Sequence, residues 1–343
     1  MSGTPSPSAV AKFAKQSAKG TPATTGFVTA LATRSSLNAA FDNPQRTTEH
    51  GAGAADRATA HKSATRRGSY LARAQYGGYL YPNLFGIMLL GAGFKVTTTG
   101  AGADKTHVFK LGLRSEQLYL TMLETIGSKT RRGSDMRVSA LNLIGTQENV
   151  TFDATLAGLA MADAAGSETT TAEDTNQLLG SEGTLSLHYD PAGANTEILN
   201  TTTDTVQEVR LAISNPADEA DRSIHTFGRA DLPQTGVDIT TNINGIEIDY
   251  SIYEDIIEGG ASGNAPSPNT AICSLSYSFA TAIDIATASV PYSCTILIPH
   301  LEVNLDDFTA EGDNLIRWNL TGRMIDDVTD PITITLVNAK TSY

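Results

Sequence analysis

Alternation of apolar and polar residues with a period of two is the feature that most restricts this chain. From residue 106 onward it recurs in THVFKLGL, QLYLTMLETI, MRVSALNLIG, NVTFDATLAGLAM, TLSLHY, VQEVRLAIS, ICSLSYSFA, YSCTILIPHLEVNL, LIRWNLTGRMI and ITITLVN. Such a period gives an extended strand one face for a core and one for polar surroundings. It argues against a helical bundle and predicts a mainly β fold built from half-buried antiparallel sheets.

The stretch DITTNINGIEIDYSI (238–252) shows the pattern most sharply. Asn-Gly suits a two-residue turn, because both central positions need positive φ. The chain is therefore expected to fold back at Asn244-Gly245. Ile243 then faces Ile246, Thr241 faces Ile248 and Ile239 faces Tyr250. Asp238, Thr240, Asn242, Glu247, Asp249 and Ser251 make the other face, which is polar and acidic.

The first third of the chain reads differently. Residues 1–68 are rich in small residues with scattered lysine and arginine, and predict an extended arm with loops and a short helix near Val10–Lys19. In YLYPNLFGIMLLGAGF (79–94), Pro82 stands early and Gly91 and Gly93 stand late, as in a short buried helix. No run approaches the roughly 20 apolar residues of a membrane-spanning helix. Residues 162–182 are acidic and Thr-rich, the composition of a surface loop. The expected organisation is an arm with loops at 1–68, a first β unit at 69–161, an acidic linker with strands at 162–235, and a second β unit at 236–343. LNLIGTQENVTFDATLAG (141–158) and LEVNLDDFTAEGDNLIRWNLTG (301–322) both run from strand through polar turn to a strand ending Leu-x-Gly. That resemblance between halves points to internal duplication.

Charge is unevenly spread. Residues 1–137 hold 18 lysines and arginines against 7 acids, +11, whereas the rest holds 6 against 30, −24, within a net charge of −13. A basic start is able to bind nucleic acid or the acidic remainder of another copy. Basic and aromatic residues are not interleaved as on a platform for single strands, which favours another copy.

Motifs for chemistry are missing. The six histidines are scattered, and there is no His-Glu-x-x-His, no Cys-x-x-Cys, no phosphate loop and no Gly-x-Ser-x-Gly elbow. Asp307–Asp313 has the look of a calcium loop, but its twelfth position is Trp318 where a glutamate is needed. Cys273 and Cys294 each lie in an apolar run and read as buried thiols rather than a disulfide. No cofactor, metal or catalytic role is expected.

Several segments together resemble the tail tube proteins of long-tailed, siphovirus-type bacteriophages. They are AKQSAKGTPATT (14–25), the helical stretch Tyr79–Gly93, HVFKL (107–111), SDMRVSALNLIGTQENVTFDATLAGLAM (134–161), and the closing series YSCTILIPHLEV, EGDNLIRWNLTGRMID and DPITITLVNAKTSY. The resemblance implies sandwich or barrel-like β units with a short buried helix, here two duplicated units plus an N-terminal arm. It implies a structural virion protein whose copies form stacked rings, homotrimeric with pseudo-sixfold symmetry or homohexameric, around a channel for ejected DNA. It further implies tape-measure, tail-terminator and tail-tip partners, double-stranded DNA in transit without specific binding, no membrane insertion, and a place in the virion tail after synthesis in the host cytoplasm.

On that reading Thr151, Asp153, Thr155, Asp238, Thr240, Glu247, Asp249, Glu302, Asn304 and Asp306 are candidates to line the lumen, where acids repel a polyanion and keep it sliding. Outer solvent is the alternative for these faces. Lys12, Lys15, Lys19, Lys129, Arg131 and Arg132 are candidates to reach the acidic surface of the next ring. The competing function is a two-domain β-sandwich that binds glycans or decorates a capsid.

Overall fold

A computed structural model describes residues 9–29, 31–41, 45–47, 64–66, 70–113, 118–173, 176–189, 196–217, 231–247, 250–259, 266–267, 270–285, 289–306, 317–326 and 328–343. The alternating runs become strands. Those of the first half are β1 (Ala9–Lys15), β2 (Phe27–Thr29), β3 (Ala32–Phe41), β4 (Gln45–Thr47), β5 (Ala64–Arg66), β6 (Tyr70–Tyr79), β7 (Phe94–Thr99), β8 (Lys105–Leu111), β9 (Leu120–Ile126), β10 (Lys129–Thr146) and β11 (Val150–Asp163). β12 (Thr170–Glu173), β13 (Gly183–Tyr189), β14 (Thr196–Asn200), β15 (Glu208–Ser214), β16 (Asp238–Ile246), β17 (Ala271–Asp284), β18 (Pro291–Leu305), β19 (Trp318–Met324) and β20 (Thr333–Asn338) follow. The helices are α1 (Pro82–Gly91) and α2 (Ser251–Ile256).

Eighteen of these strands join in one large sheet, antiparallel except where β12 meets β2, and β4 pairs with β5 apart from it. Two long strands organise it. β11 lies along one edge of β10, while the other edge holds first β9 and then β15. β17 lies along one edge of β18, while the other holds first β20 and then β19. The register shifts at Val138/Ala140 in β10 and at Cys273/Leu275 in β17, opposite Leu301 and Ile298 of β18, are the irregularities expected of bulges. Between them, β16 pairs with both β15 and β19. The sheet therefore does not break at the acidic stretch. One core cluster likewise runs from Phe13 and Phe85 through Leu211 and Ile243 to Cys294 and Leu336.

α1 sits in that core. Pro82 begins it, every residue but Asn83 is buried, and Gly93 leaves it at φ 97°. A helix apolar on all sides is stable only when it is packed on all sides, and here the sheet supplies the wrapping. Both cysteines are free and buried, and burial pushes each thiol up to about 12.

Four expectations need correction. No helix forms near Val10–Lys19, because Ala11 and Phe13 turn inward as β1 pairs with β9 along its whole length. From residue 9 the arm is mostly not free, since β1, β2 and β3 all belong to the main sheet. The stretch 162–182 is not all loop, for it contains the end of β11, β12 and a 3-10 turn at Gly180–Glu182. Finally, Asn244-Gly245 is not a hairpin turn. β16 runs straight through it, and the positive φ of Gly245, 69°, is used by a bulge between Ile243 and Ile246 against β19.

Candidate functional site

The polar positions of the wide sheet come together as one face. Arg34, Gly77, Asp153, Asn142, Ala212, Thr240, Arg323, Glu302 and Ile272 lie opposite one another in succession across nine strands, from β3 to β17. Directly opposed residues of antiparallel strands project to the same side. A second row holds Thr151, Ile144, Arg210, Asn242, Thr321 and Asn304, and a third holds Thr155, Ala140, Ser214 and Asp238. The candidates on β11, β16 and β18, remote in sequence, thus share one surface. Their neighbours Phe152, Ala154, Ile239, Thr241, Ile243, Leu301 and Val303 are buried on the opposite side. Two shallow hollows mark the middle of the face and share Thr240 and Asn242.

The face is charge-compensated, which corrects the expectation of a simply acidic one. Arg34 Nη2 lies 3.1 Å from Asp153 Oδ1, and Arg323 Nε lies 2.9 Å from Asp238 Oδ1. The Asp153 carboxylate crosses over Gly77 to make its pair, and a Cβ there would stand 2.3 Å from Oδ1. Arg210 donates to both carboxylate oxygens of Glu208, at 2.7 and 3.1 Å, and so holds that carboxyl below its ordinary range, helped by Asn244 Nδ2 at 3.0 Å. At the end of the face, Arg317 pairs with Glu247 at 2.7 Å. Glu302 and Asp306 are exposed. Asp249 lies outside the described residues, as does 307–316 with the charged turn. The arginines were legible in principle, because Glu208-x-Arg210 and Thr321-x-Arg323 place them in phase with the polar positions.

The six basic candidates are scattered, and five have partners within the chain. Lys12 donates to Thr170 Oγ1 (2.8 Å) and Lys15 to the main-chain oxygen of Tyr343 (2.9 Å). Lys19 pairs with Asp231 (3.2 Å), Arg131 with Glu124 and Arg132 with Glu168 (3.6 Å). Lys129 is exposed at the start of β10. Because β1 lies in the sheet, its lysines sit beside local acceptors. An exposed pair such as Lys19–Asp231 is worth about 0–1 kcal/mol, whereas the Glu124 and Glu168 carboxylates are buried beside their arginines.

One further cluster gave little sequence signal. Segment 231–235 straps the outer side of β10, with Leu232 packed on Leu71, Ala157 and Leu159. Buried Arg137 donates to Leu232 O (2.6 Å) and lies 4.3 Å from the centre of the Tyr119 ring. Burial works to raise the Asp231 carboxyl, but the Tyr119 hydroxyl (2.7 Å), the Leu232 N–H and Lys19 outweigh it and hold the group low. Compared with known proteins, the chain matches no family model and no curated protein.

Proposed function

We propose that the protein is the tail tube subunit of a long-tailed bacteriophage, whose copies join edge to edge into rings and stack into a hollow conduit for double-stranded DNA. The observation that carries this reading is the continuous polar face across nine strands, backed by core along its length. A face that wide, made mostly of small polar side chains and paired charges, with Ile144 and Ile272 among them and the acids Glu302 and Asp306 exposed, suits a wall past which a polyanion slides. Bare arginines would hold DNA by counterion release, and pairing them with acids removes that attraction.

The plan of the sheet supports two duplicated units in one chain. β10 and β18 are both long and occupied along both edges. Leu156 and Leu320 are both buried, and each is followed at the second position by a glycine without room for a side chain. Two units per chain favour three copies per ring. At about 4.8 Å per strand and the strand tilt usual for barrels, three nine-stranded faces close a wall roughly 50–60 Å across. Six copies would double that width. Strand edges such as β3, buried only at Leu37, are the surfaces that joining would cover.

Negative-stain microscopy of the purified protein tests the proposal. Rings and tubes of a single bore are expected. A protein that stays monomeric at every concentration and salt overturns it. The rival reading, a glycan-binding or capsid-decorating module, draws on Tyr250, which is 51% exposed, but Trp318, the better platform for a sugar, is only 3% exposed. A stable monomer that binds sugars would favour it.

A further inference from the structure

Tyr277, on β17, carries a hydroxyl that the fold does not use. The residue is only 7% exposed, its ring packs on Phe279 with centres 4.2 Å apart, and the hydroxyl has no hydrogen-bond partner among the described residues. Phenylalanine would fill the same place in the core. A hydroxyl so nearly buried and unpaired in the chain calls for a partner from outside it. Room is also kept for it, because a Cβ on Gly145 of β10 would run into the oxygen. Burial, and then Cys294 nearby, raise its pKa, so at neutral pH the group keeps its proton and is a donor.

Tyr277 and Gly145 line a cavity of about 650 Å³. It lies where the β10–β11 turn, the 3-10 turn at Gly180–Glu182 and the link from β14 to β15 come together. Gly180 lets the two turns touch, since a Cβ there would collide with Thr146 O. Leu185 and Val209, both buried, give the cavity its apolar part. Gln147, Ser181 and Thr205 are exposed around it, and their side chains have no partner among the described residues.

Charge narrows the choice of ligand. The carboxylates of Asp204 and Glu208 line the cavity, and no lysine or arginine does. An anion would therefore meet like charge without a counter-ion. A cation fares little better, because Asp204 already accepts from Asn200 N–H (2.7 Å) and Glu208 from Arg210 and Asn244. What remains is a concave site, part apolar, with free hydroxyl and amide groups converging on it. Such a site suits a neutral ligand rich in hydroxyls.

We infer that this cavity binds a small neutral saccharide, with Tyr277 donating to one sugar hydroxyl and Gln147, Ser181 and Thr205 meeting others. The inference is independent of the tube reading, since every wall of the cavity comes from one chain. It also does not draw on the exposed Tyr250.

Saturation-transfer NMR on the full chain tests it, with glucose, galactose, mannose and N-acetylglucosamine as probes and glucuronate and spermidine as charged controls. At least one neutral sugar is expected to bind with a Kd on the order of 1 mM, and neither control. Tyr277→Phe keeps the ring and breaks no bond within the chain, so its thermal melt should equal or exceed that of the wild type while binding weakens about tenfold or more. The exposed double variant S181A/T205A removes no core contact and should weaken binding likewise. No binding by any neutral sugar leaves the hydroxyl facing water alone and overturns the inference. Binding unchanged in either folded variant overturns it too, as does spermidine held through Tyr277, which would make the ligand an organic cation. Microscopy of the same samples reads tube formation separately, so sugar bound by tubes upholds both readings and tubes without sugar uphold the tube alone.

Discussion

His107 has no exposed surface, and its ring lies between Thr98 Oγ1 (2.8 Å from Nδ1) and Asn338 Oδ1 (3.0 Å from Nε2). Burial, the largest influence, lowers its pKa, opposed by the Asn338 bond. The folded protein therefore keeps the ring neutral to a lower pH than the unfolded chain, which takes up a proton near 6.5. Stability is expected to fall as pH drops below about 6.5 toward the lowered value and to level off beneath it. Urea unfolding at a series of pH values checks this, and His107→Gln should lower stability at neutral pH while flattening the slope. The same network holds Tyr343, whose hydroxyl donates to Pro82 O (2.9 Å) and accepts from Asn338 Nδ2 (2.7 Å), and whose ring covers Gly86. Tyr343→Phe keeps the ring but leaves two buried groups unpaired, so a loss of about 1–3 kcal/mol is expected in the same measurement. None of this was legible in the sequence, where His107 is one of six scattered histidines. Its partner stands 231 residues away, and only the pairing of β8 with β20 brings them together.

At the scale of elements, periods survive in a sequence but partners do not. Nearly every run with period two became a strand, because burying one face leaves its mark at every second residue. α1 was legible for a related reason, since Pro82 and Gly93 bound a run with no polar side. Asn244-Gly245 was misread because positive φ serves a bulge as well as a turn, and only the strand opposite decides which. In the bulge Gly245 N–H donates to Asn319 Oδ1 at 3.1 Å, and a Cβ on it would stand 2.6–2.7 Å from the Gln207 side chain. Gly245→Ala thus meets both left-handed strain and crowding, with an expected cost of about 1–3 kcal/mol in thermal or urea unfolding. Gly236→Ala, where nothing lies within 4 Å and φ is ordinary, should be close to neutral. A hairpin turn at 244–245 would predict a changed register for β16 in the first variant. The bulge predicts lower stability with the register kept, which amide exchange along β15 and β16 distinguishes.

At the scale of the whole molecule, the polar face was half legible. Its acids and threonines announced themselves by alternation, but their gathering into single rows depends on β10 and β18 each serving two partners along one edge. No local pattern encodes that. The basic candidates fared worse, since sequence shows charge without showing that β1 already lies beside local acceptors. The face also yields the most decisive test of the conduit. Thr240, Asn242 and Thr321 stand at its centre without ion pairs among the described residues, and Asn242 is exposed while the other two are half-buried. Lysines at these three positions would add positive charge to a wall whose arginines Arg34, Arg210 and Arg323 are each paired with an acid, and would leave the core untouched. Tubes of T240K/N242K/T321K are expected to retain DNA with an affinity that falls steeply with salt, while wild-type tubes retain little. Retention alone does not locate the DNA, because a lysine patch on the outside would also bind it. Nuclease does: DNA held inside a closed wall survives digestion, and DNA on the outer surface is degraded. Survival in the variant tubes places this face on the lumen, and loss of all bound DNA turns it outward and removes the conduit assigned to it.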